Sequence, residues 1–299
     1  MVDTIGAMKV FGVDFTSSPR KSKPITFAEC DLNGAVLTHI KSGQIENFAL
    51  FESFLARKGP WIAGFDFPFG QPRILLENLG WEYEWESYVE QISLLGKTRW
   101  EELLRAYRDS REKGDKQHFR LTDRLAGSRS PMMMYRVPVG KMFFEGAPRL
   151  MKSGVSVVPC RPNKSNRIAV EAYPALVARQ WTKQAYKNDQ KSKQTPEQMG
   201  SRELILKGLI SQSIDQFDVS IVIESSIQKA MVEDPSGDTL DAFLCAVQTA
   251  SAHSQVDGTL GIPKEMDPNE GWIIGAPKST TTNQRLLMNS SSSSNSFTV

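Results

Sequence analysis

The chain has 299 residues, of which 40% are hydrophobic and 23% charged, and its formal net charge at pH 7 is +2. This composition fits a globular protein and excludes a chain that is disordered throughout. No apolar run is long enough to span a membrane, and the first fifteen residues lack the features of a secretion signal. We therefore expect a cytoplasmic protein with no membrane partner.

The start of the chain predicts three antiparallel strands. Residues 8–15, MKVFGVDF, form an apolar run with an aspartate near its end, and β-prone runs follow at 24–31 and 34–41. Asn33-Gly34 separates these two runs. Asn-Gly is typical of a tight hairpin, because both turn positions need positive φ.

A helix and a further strand come next. Residues 45–58 place apolar side chains on one helical face, and Gly59-Pro60 ends this helix. Residues 61–66, WIAGFD, give a short strand that ends in Asp66. A helix that leads into a strand suits a parallel addition to the sheet, and the pattern is therefore that of an α/β fold.

The rest of the chain differs from its start. Residues 73–160, rich in Glu, Leu, Tyr and Trp, predict a largely helical insertion. We interpret residues 1–278 as one domain, and the Ser/Thr-rich residues 279–299 as a disordered tail. Further predictions are a strand at 167–173, a lysine-rich loop at 183–198, helices at 200–212, 222–233 and 238–252, a strand left open at 219–223, and a last strand at 271–275.

Charge is unevenly distributed along the sequence. The segment 97–136 has a net charge of +5 and the segment 151–202 a net charge of +7, whereas 203–241 has −6. Basic segments contact phosphates in nucleic-acid-binding proteins, and they also occur as solvated surface. The charge pattern leaves both interpretations open.

Carboxylates are better placed for chemistry than cysteine or histidine. No CxxC pair and no histidine pair with ligand spacing occurs, which argues against a disulfide scaffold or a zinc site. Asp14 and Asp66, in contrast, end predicted strands, where open α/β sheets bind ligands. A carboxylate buried there without a partner is costly, so these positions favour a cation, a hydrogen-bond network or a catalytic role.

Two more aspartates, Asp238 and Asp241, open the predicted last helix. Residues three apart lie on one helix face, and two like charges there are better tolerated beside a cation. Three separate elements thus each supply an aspartate to the edge of one candidate site. Together they favour a site for Mg²⁺ or Mn²⁺, which take hard oxygen ligands.

Each aspartate also has a local alternative that needs no metal. Asp14 is compatible with an Asx-turn, and Asp66 with a cap of the turn before Pro68. Asp238 is compatible with the N-cap of the last helix, with Asp241 at N3 near the positive end of the helix dipole.

Five short blocks carry a resemblance to a known family: GVDF, GFDFPFG, EAYPA, GDTLDA and EGWIIG. Over about residues 8–277 the chain resembles a widespread uncharacterised family predicted to be RNase H-like nucleases. The resemblance implies a mixed five-stranded sheet that is flanked by helices and has its first three strands antiparallel.

The resemblance also implies roles for individual carboxylates. Asp14 becomes the central metal ligand, Asp66 the second ligand, and Asp238 with Asp241 the contribution of the last helix. Glu171, in VEAYP, becomes an additional ligand or a group behind the ligands. The alternative for Glu171 is a strand-edge residue paired with a nearby arginine.

The block FRLTDR lies in the basic insertion and resembles the RxTDR block of the same family. Its arginines Arg120 and Arg124, together with Arg129, are candidates for contacts with substrate phosphate. The alternative is structural, with Asp123 pairing with its neighbours in a loop.

The leading hypothesis is a metal-dependent nuclease that hydrolyses phosphodiester bonds in nucleic acid. One alternative is a non-catalytic nucleic-acid-binding or scaffold protein that keeps the fold, and metal binding separates the two. The other is a phosphotransferase of the actin-like ATPase group, which ATP hydrolysis would reveal. That class needs two related domains with glycine-rich phosphate loops, and the sequence has neither.

Overall fold

The structure is a computed structural model that describes residues 7–135, 137–188, 191–255 and 257–278. In these ranges the chain forms one mixed sheet of seven strands flanked by helices. No helix within them is long and apolar enough to cross a membrane. The strands are β1 (Met8–Asp14), β2 (Ile25–Asn33), β3 (Val36–Ile45), β4 (Trp61–Phe65), β5 (Ser156–Val158), β6 (Arg167–Glu171) and β7 (Ser220–Val222).

The strands lie in the order β5-β6-β4-β1-β2-β3-β7. β1 pairs with β2, and β2 with β3, in antiparallel orientation, so the predicted run of three antiparallel strands is confirmed. β4 and β6 are added in parallel to β1 and β4 respectively. The C-terminal ends of β1, β4 and β6 therefore meet at one edge of the sheet.

The predicted number of five strands is wrong for the described part of the chain, which has seven. β5 and β7 have three residues each and are the two outermost strands of the sheet. Strands this short offer too few positions for an alternating pattern, although β7 lies in the stretch 219–223 where the sequence left a strand open. The strand predicted at 271–275 is reduced to one parallel bridge between Glu171 and Ile273.

The hairpin predicted at Asn33-Gly34 is confirmed, but its turn residues are Gly34 and Ala35, and Asn33 is the last residue of β2. Gly34 has a φ of +57°, and Asn33 pairs with Val36 across the turn. This turn sets the register of the hairpin, in which the buried side chains of Leu32 and Leu37 lie opposite each other.

Ten α-helices cover the sheet within the described ranges. They are α1 (Phe48–Leu55), α2 (Arg73–Asn78), α3 (Trp85–Leu95), α4 (Lys97–Asp109), α5 (Leu121–Ala126), α6 (Val139–Ser153), α7 (Pro174–Ala178), α8 (Pro196–Phe217), α9 (Ser225–Glu233) and α10 (Asp238–His253). Five of them, from α2 to α6, fall in the stretch 73–160. α8 begins inside the predicted loop, because Thr195 and Gln198 form a capping box before its first turn.

Helix α10 lies directly against the two central strands. A Cβ atom added to Gly12 of β1 would come within 1.9 Å of the carbonyl oxygen of Ala242, and one added to Gly64 of β4 within 2.0 Å of Oγ1 of Thr249. Only glycine permits this approach. The contact holds the buried helix over the strands whose ends carry Asp14 and Asp66.

The opposite face of the sheet packs an aromatic cluster. Phe11 of β1 meets Phe54 of α1 edge-on at 5.2 Å between ring centroids, and Phe65 of β4 meets Phe51 of α1 at 6.1 Å. Such edge-to-face pairs add to the stability that burial of the rings provides. The central strands are thus fixed from both sides.

Replacing Gly12 with alanine is expected to lower the free energy of unfolding by about 2 to 4 kcal/mol, because the methyl group overlaps the backbone of α10. Gly200→Ala is the matched control. Gly200 lies on α8 with nothing within 4 Å of an added Cβ, so alanine there is expected to raise stability by about 0.5 to 1 kcal/mol. Urea unfolding measures both, and equal stability of the two variants would contradict the close contact.

Candidate functional site

The four aspartates singled out by the sequence come from three elements that meet at one edge of the sheet. Asp14 is the last residue of β1, and Asp66 follows β4 directly. The N–H group of Asp66 donates to the carbonyl of Val13 at 2.9 Å, which places the two strand ends side by side. Asp238 and Asp241 lie in the first turn of α10.

The Asp14 carboxyl lies within electrostatic reach of the three other aspartates. Burial raises the pKa of Asp14 well above its usual range; Lys187 opposes this shift, while Asp241, Asp238 and Asp66 each add to it. All three other aspartates therefore act on the Asp14 carboxyl. Like charges that act on one another in a buried site are unfavourable without a counter-charge.

Asp66 belongs to the same cluster. Burial, followed by repulsion from Asp241, raises the pKa of the Asp66 carboxyl to about 7, and Lys187 opposes the shift. Among the described residues, no hydrogen bond or salt bridge is made to the carboxylate of Asp14 or Asp66. Their oxygens remain available as acceptors for a ligand.

Lys187 supplies the positive charge in this cluster. Its ammonium group forms a salt bridge with Oδ2 of Asp241, which is 1% exposed, and the Tyr186 hydroxyl donates to Oδ1 of the same carboxylate at 2.6 Å. Withdrawal from water lowers the pKa of Lys187, but Asp241 and Asp14 more than compensate and raise it well above its usual value. Lys187 is therefore a cation held against the carboxylates.

Lys187 was not among the site residues predicted from the sequence. The residue lies in the lysine-rich stretch 183–198, which has no spacing that singles out one of its lysines. Its partner Asp241 belongs to a helix far along the chain, so the contact is non-local. The net positive charge of the segment was the one available signal.

The donor set has the chemistry of a divalent-metal site, but its arrangement is that of an ion-paired cluster. Carboxylate oxygens suit Mg²⁺ and Mn²⁺. Within the described ranges, however, no three Asp, Glu, His or Cys side chains stand close enough together to hold a metal ion. Asp241, the most buried of the four, already has both oxygens engaged by Lys187 and Tyr186.

The start of α10 differs from the local alternative drawn from the sequence. Gly237, with a φ of +71°, is the N-cap, and Asp238 is the first helical residue. The side chain of Asp238 therefore does not cap the helix. Both aspartates lie in the first turn, where the helix dipole favours negative charge.

Glu171 ends β6 and is held in a buried network rather than among the aspartates. Arg120 donates from Nη2 to Oε1 of Glu171 at 2.6 Å and from Nη1 to Oε2 at 2.8 Å. The backbone N–H of Phe69 donates to the same carboxylate at 2.9 Å. The alternative in which Glu171 pairs with a nearby arginine is the arrangement found.

Arg120 has no donor left for a phosphate. It is 1% exposed, and its remaining N–H groups donate to both oxygens of Asp123 and to the carbonyl of Glu270. All five guanidinium N–H groups are thus engaged. The expected phosphate contact is replaced by a structural role, in which Arg120 joins the start of α5 to the end of β6.

The two other candidate arginines are exposed. Arg124 lies over the ring of Phe119, with 5.5 Å between its guanidinium carbon and the ring centroid. Arg129 lines a cavity of about 110 Å³ that also reaches Asp66. Of the three arginines, Arg129 is therefore the one that combines exposure with a place beside the carboxylate cluster.

Comparison with known proteins identifies one family. The family model described as "Protein of unknown function (DUF429)" matches residues 12–267, a range that contains all four aspartates. No curated protein and no solved structure matches the chain.

The raised pKa of Asp66 predicts a pH-dependent stability. Between the unfolded pKa of about 4 and the folded pKa of about 7, the folded state binds the extra proton, so the free energy of unfolding falls as pH rises through this window. Asp66→Asn lacks this decline. In chelator, the variant is expected to be more stable than the wild type by about 1 to 3 kcal/mol at pH 8 and equally stable near pH 4.

Denaturant unfolding at the two pH values measures the effect. Asp109→Asn, at an exposed position on α4, is the control and is expected to change stability by less than about 0.5 kcal/mol at either pH. A stabilisation by Asp66→Asn of the same size at both pH values would show that ionisation of the buried Asp66 carboxyl is not its cause.

Proposed function

The chain belongs to the family described as "Protein of unknown function (DUF429)", and from that premise we propose that it is a metal-dependent nuclease of RNase H-like fold. The observation that carries the proposal is the convergence of Asp14, Asp66, Asp238 and Asp241 from three elements onto one edge of the sheet. Such a concentration of carboxylates is unfavourable unless a cation compensates it.

The topology supports an RNase H-like assignment. The five longest strands comprise an antiparallel run of three followed by two parallel additions, as expected for that fold group. β5 and β7 extend this core at its edges. The last long helix, α10, brings its aspartates to the ends of β1 and β4.

Mg²⁺ or Mn²⁺ would be held by carboxylates of the four aspartates only if these moved closer together than they stand in the described ranges. When bound, such an ion would activate water and stabilise the charge that develops on the phosphate. Asp14 and Asp66 offer carboxylates that no described group engages, which supports their role as ligands. Asp241 would first have to exchange its contact with Lys187 for one with the metal.

Nucleic acid is the substrate that the charge distribution favours. Lys187, from the lysine-rich stretch 183–198, contacts Asp241, and the exposed Arg129 lines the same cavity as Asp66. Positive charge beside a carboxylate cluster suits the binding of a phosphodiester backbone.

The salt bridge between Lys187 and Asp241 favours a second candidate, a non-catalytic binding or scaffold protein. In that protein the ammonium group would be the permanent counter-charge, and no metal would be needed. The two candidates differ in whether the cluster binds divalent metal, and this difference is measurable.

The nuclease is tested by cleavage of labelled single-stranded, double-stranded and branched nucleic acids with Mn²⁺ or Mg²⁺. Asp14→Asn is expected to reduce the rate by at least about 10²-fold, and chelator to abolish it. Asp109→Asn is the matched control and is expected to retain the wild-type rate, because it lies on α4 outside the cluster. No cleavage of any substrate by the wild type, or equal rates in wild type and Asp14→Asn, would reject the proposal.

Lys187→Met separates the nuclease from the scaffold by metal binding. If Lys187 competes with the metal for Asp241, the variant is expected to bind Mn²⁺ at least about fivefold more tightly than the wild type in calorimetry. Lys183→Met removes an exposed lysine nearby in the sequence and is expected to leave the affinity unchanged. Absence of Mn²⁺ binding in both the wild type and Lys187→Met would favour the scaffold.

A further inference from the structure

A cavity of about 110 Å³ lies beside the carboxylate cluster, between the end of β4 and the segment that leads into α6. Asp66 forms one part of its wall, and Arg129 another. Between them the wall is mainly apolar, with Phe67, Val137 and Val139 among its residues. The wall also includes Arg120, Asp123 and Glu171, whose charges pair with one another, so Asp66 and Arg129 are the charged groups left to meet a ligand. An apolar wall with a few placed polar groups is the usual form of a binding site.

Tyr173 connects this cavity to the charges around it. Arg179 donates to the Tyr173 hydroxyl at 3.1 Å and lies over its ring, with 5.3 Å from the guanidinium carbon to the centroid. Burial raises the pKa of Tyr173; Arg179 lowers it, Asp66 raises it and Arg129 lowers it. Tyr173 therefore lies within electrostatic reach of both the carboxylate cluster and the exposed arginine.

The cavity wall includes an exposed apolar side chain and an aromatic one. Val137 is 53% exposed, and the aromatic ring of Tyr173 belongs to the same wall. Arg129 belongs to the same connecting segment between α5 and α6 as Val137. Aromatic and apolar side chains beside an exposed arginine are the combination with which proteins bind single-stranded nucleic acid, by stacking on bases and contacting the backbone.

We propose that this cavity receives one unpaired base of the substrate, so that the enzyme acts on single-stranded nucleic acid. A base inside a duplex is stacked and paired, and it enters a protein cavity only after it has left the helix. With the base in the cavity, Arg129 contacts the backbone phosphate, and the adjoining phosphodiester lies toward Asp66 and the other carboxylates. This inference rests on the proposed function for the cleavage of the phosphodiester bond. Binding of the base in the cavity does not require metal.

Binding is therefore measured in chelator and at low salt, by fluorescence anisotropy with a labelled oligothymidylate and with a duplex of the same length. The wild type is expected to bind the single strand at least about tenfold more tightly than the duplex. Arg129→Ala is expected to weaken single-strand binding by about 5- to 20-fold. Arg99→Ala, an exposed arginine on α4 outside the cavity, is the matched control and is expected to leave the affinity unchanged.

A second variant tests the cavity itself. Val139→Trp places a large ring at the cavity wall and is expected to remove the preference for single strands. Leu94→Trp is the control and is expected to keep the preference, because the Leu94 side chain on α3 is 81% exposed. Near-wild-type melting temperatures show that both variants fold. An oligothymidylate with one abasic residue per binding site is expected to bind several-fold more weakly than the intact strand.

The outcomes separate this inference from the nuclease proposal. Equal affinity for single strand and duplex, or an unchanged preference in both Arg129→Ala and folded Val139→Trp, would overturn the base-binding cavity even if cleavage is observed. A single-strand preference that these variants abolish, in a protein that cleaves nothing, would support the cavity and reject the nuclease.

Discussion

The contact between α10 and the two central strands is the constraint on which the candidate site depends. Gly12 and Gly64 let the helix approach to a distance at which any larger residue would overlap its backbone or Thr249. The helix is nearly all buried, and the close packing around it prevents it from shifting along the sheet. Its first turn is thereby fixed beside the ends of β1 and β4, and Asp241 is held within reach of Asp14 and Asp66.

This close packing confines like charges, and the confinement has a thermodynamic consequence. The pKa values of Asp14 and Asp66 are raised because their ionised forms are poorly solvated and repel their neighbours. Lys187 offsets part of this repulsion. Functional residues often lie in sites that lower the stability of the fold. Packing elsewhere in the protein holds such sites in place.

Much of the fold was predictable because its signals are local. The Asn33-Gly34 hairpin, the antiparallel run of strands and the aspartates at strand ends each follow from a few adjacent residues. β5 and β7 were not predicted as such, because three residues carry no periodicity and their pairing depends on strands remote in sequence. The positions of strands β1 and β4 in one sheet then made the proximity of Asp14 and Asp66 predictable.

The partners of charged residues were less predictable. An arginine such as Arg120 has the same sequence signature whether it faces a phosphate or lies buried between Asp123 and Glu171, because the difference is set by distant elements. The same holds for Lys187, whose contact with Asp241 depends on how a loop crosses the start of α10. Charge in a sequence predicts that a partner exists, and tertiary structure decides which one.

The carboxylates of the site come from opposite ends of the chain, and this affects how the protein acquires its site during synthesis. β1 and β4, with Asp14 and Asp66, leave the ribosome long before α10 is made. Until then the strand face around Gly12 has no helix to cover it, and contacts of such wide sequence separation form slowly. A nascent or truncated chain that lacks α10 therefore exposes apolar sheet surface. The complete carboxylate cluster forms only after α10 has packed against the sheet.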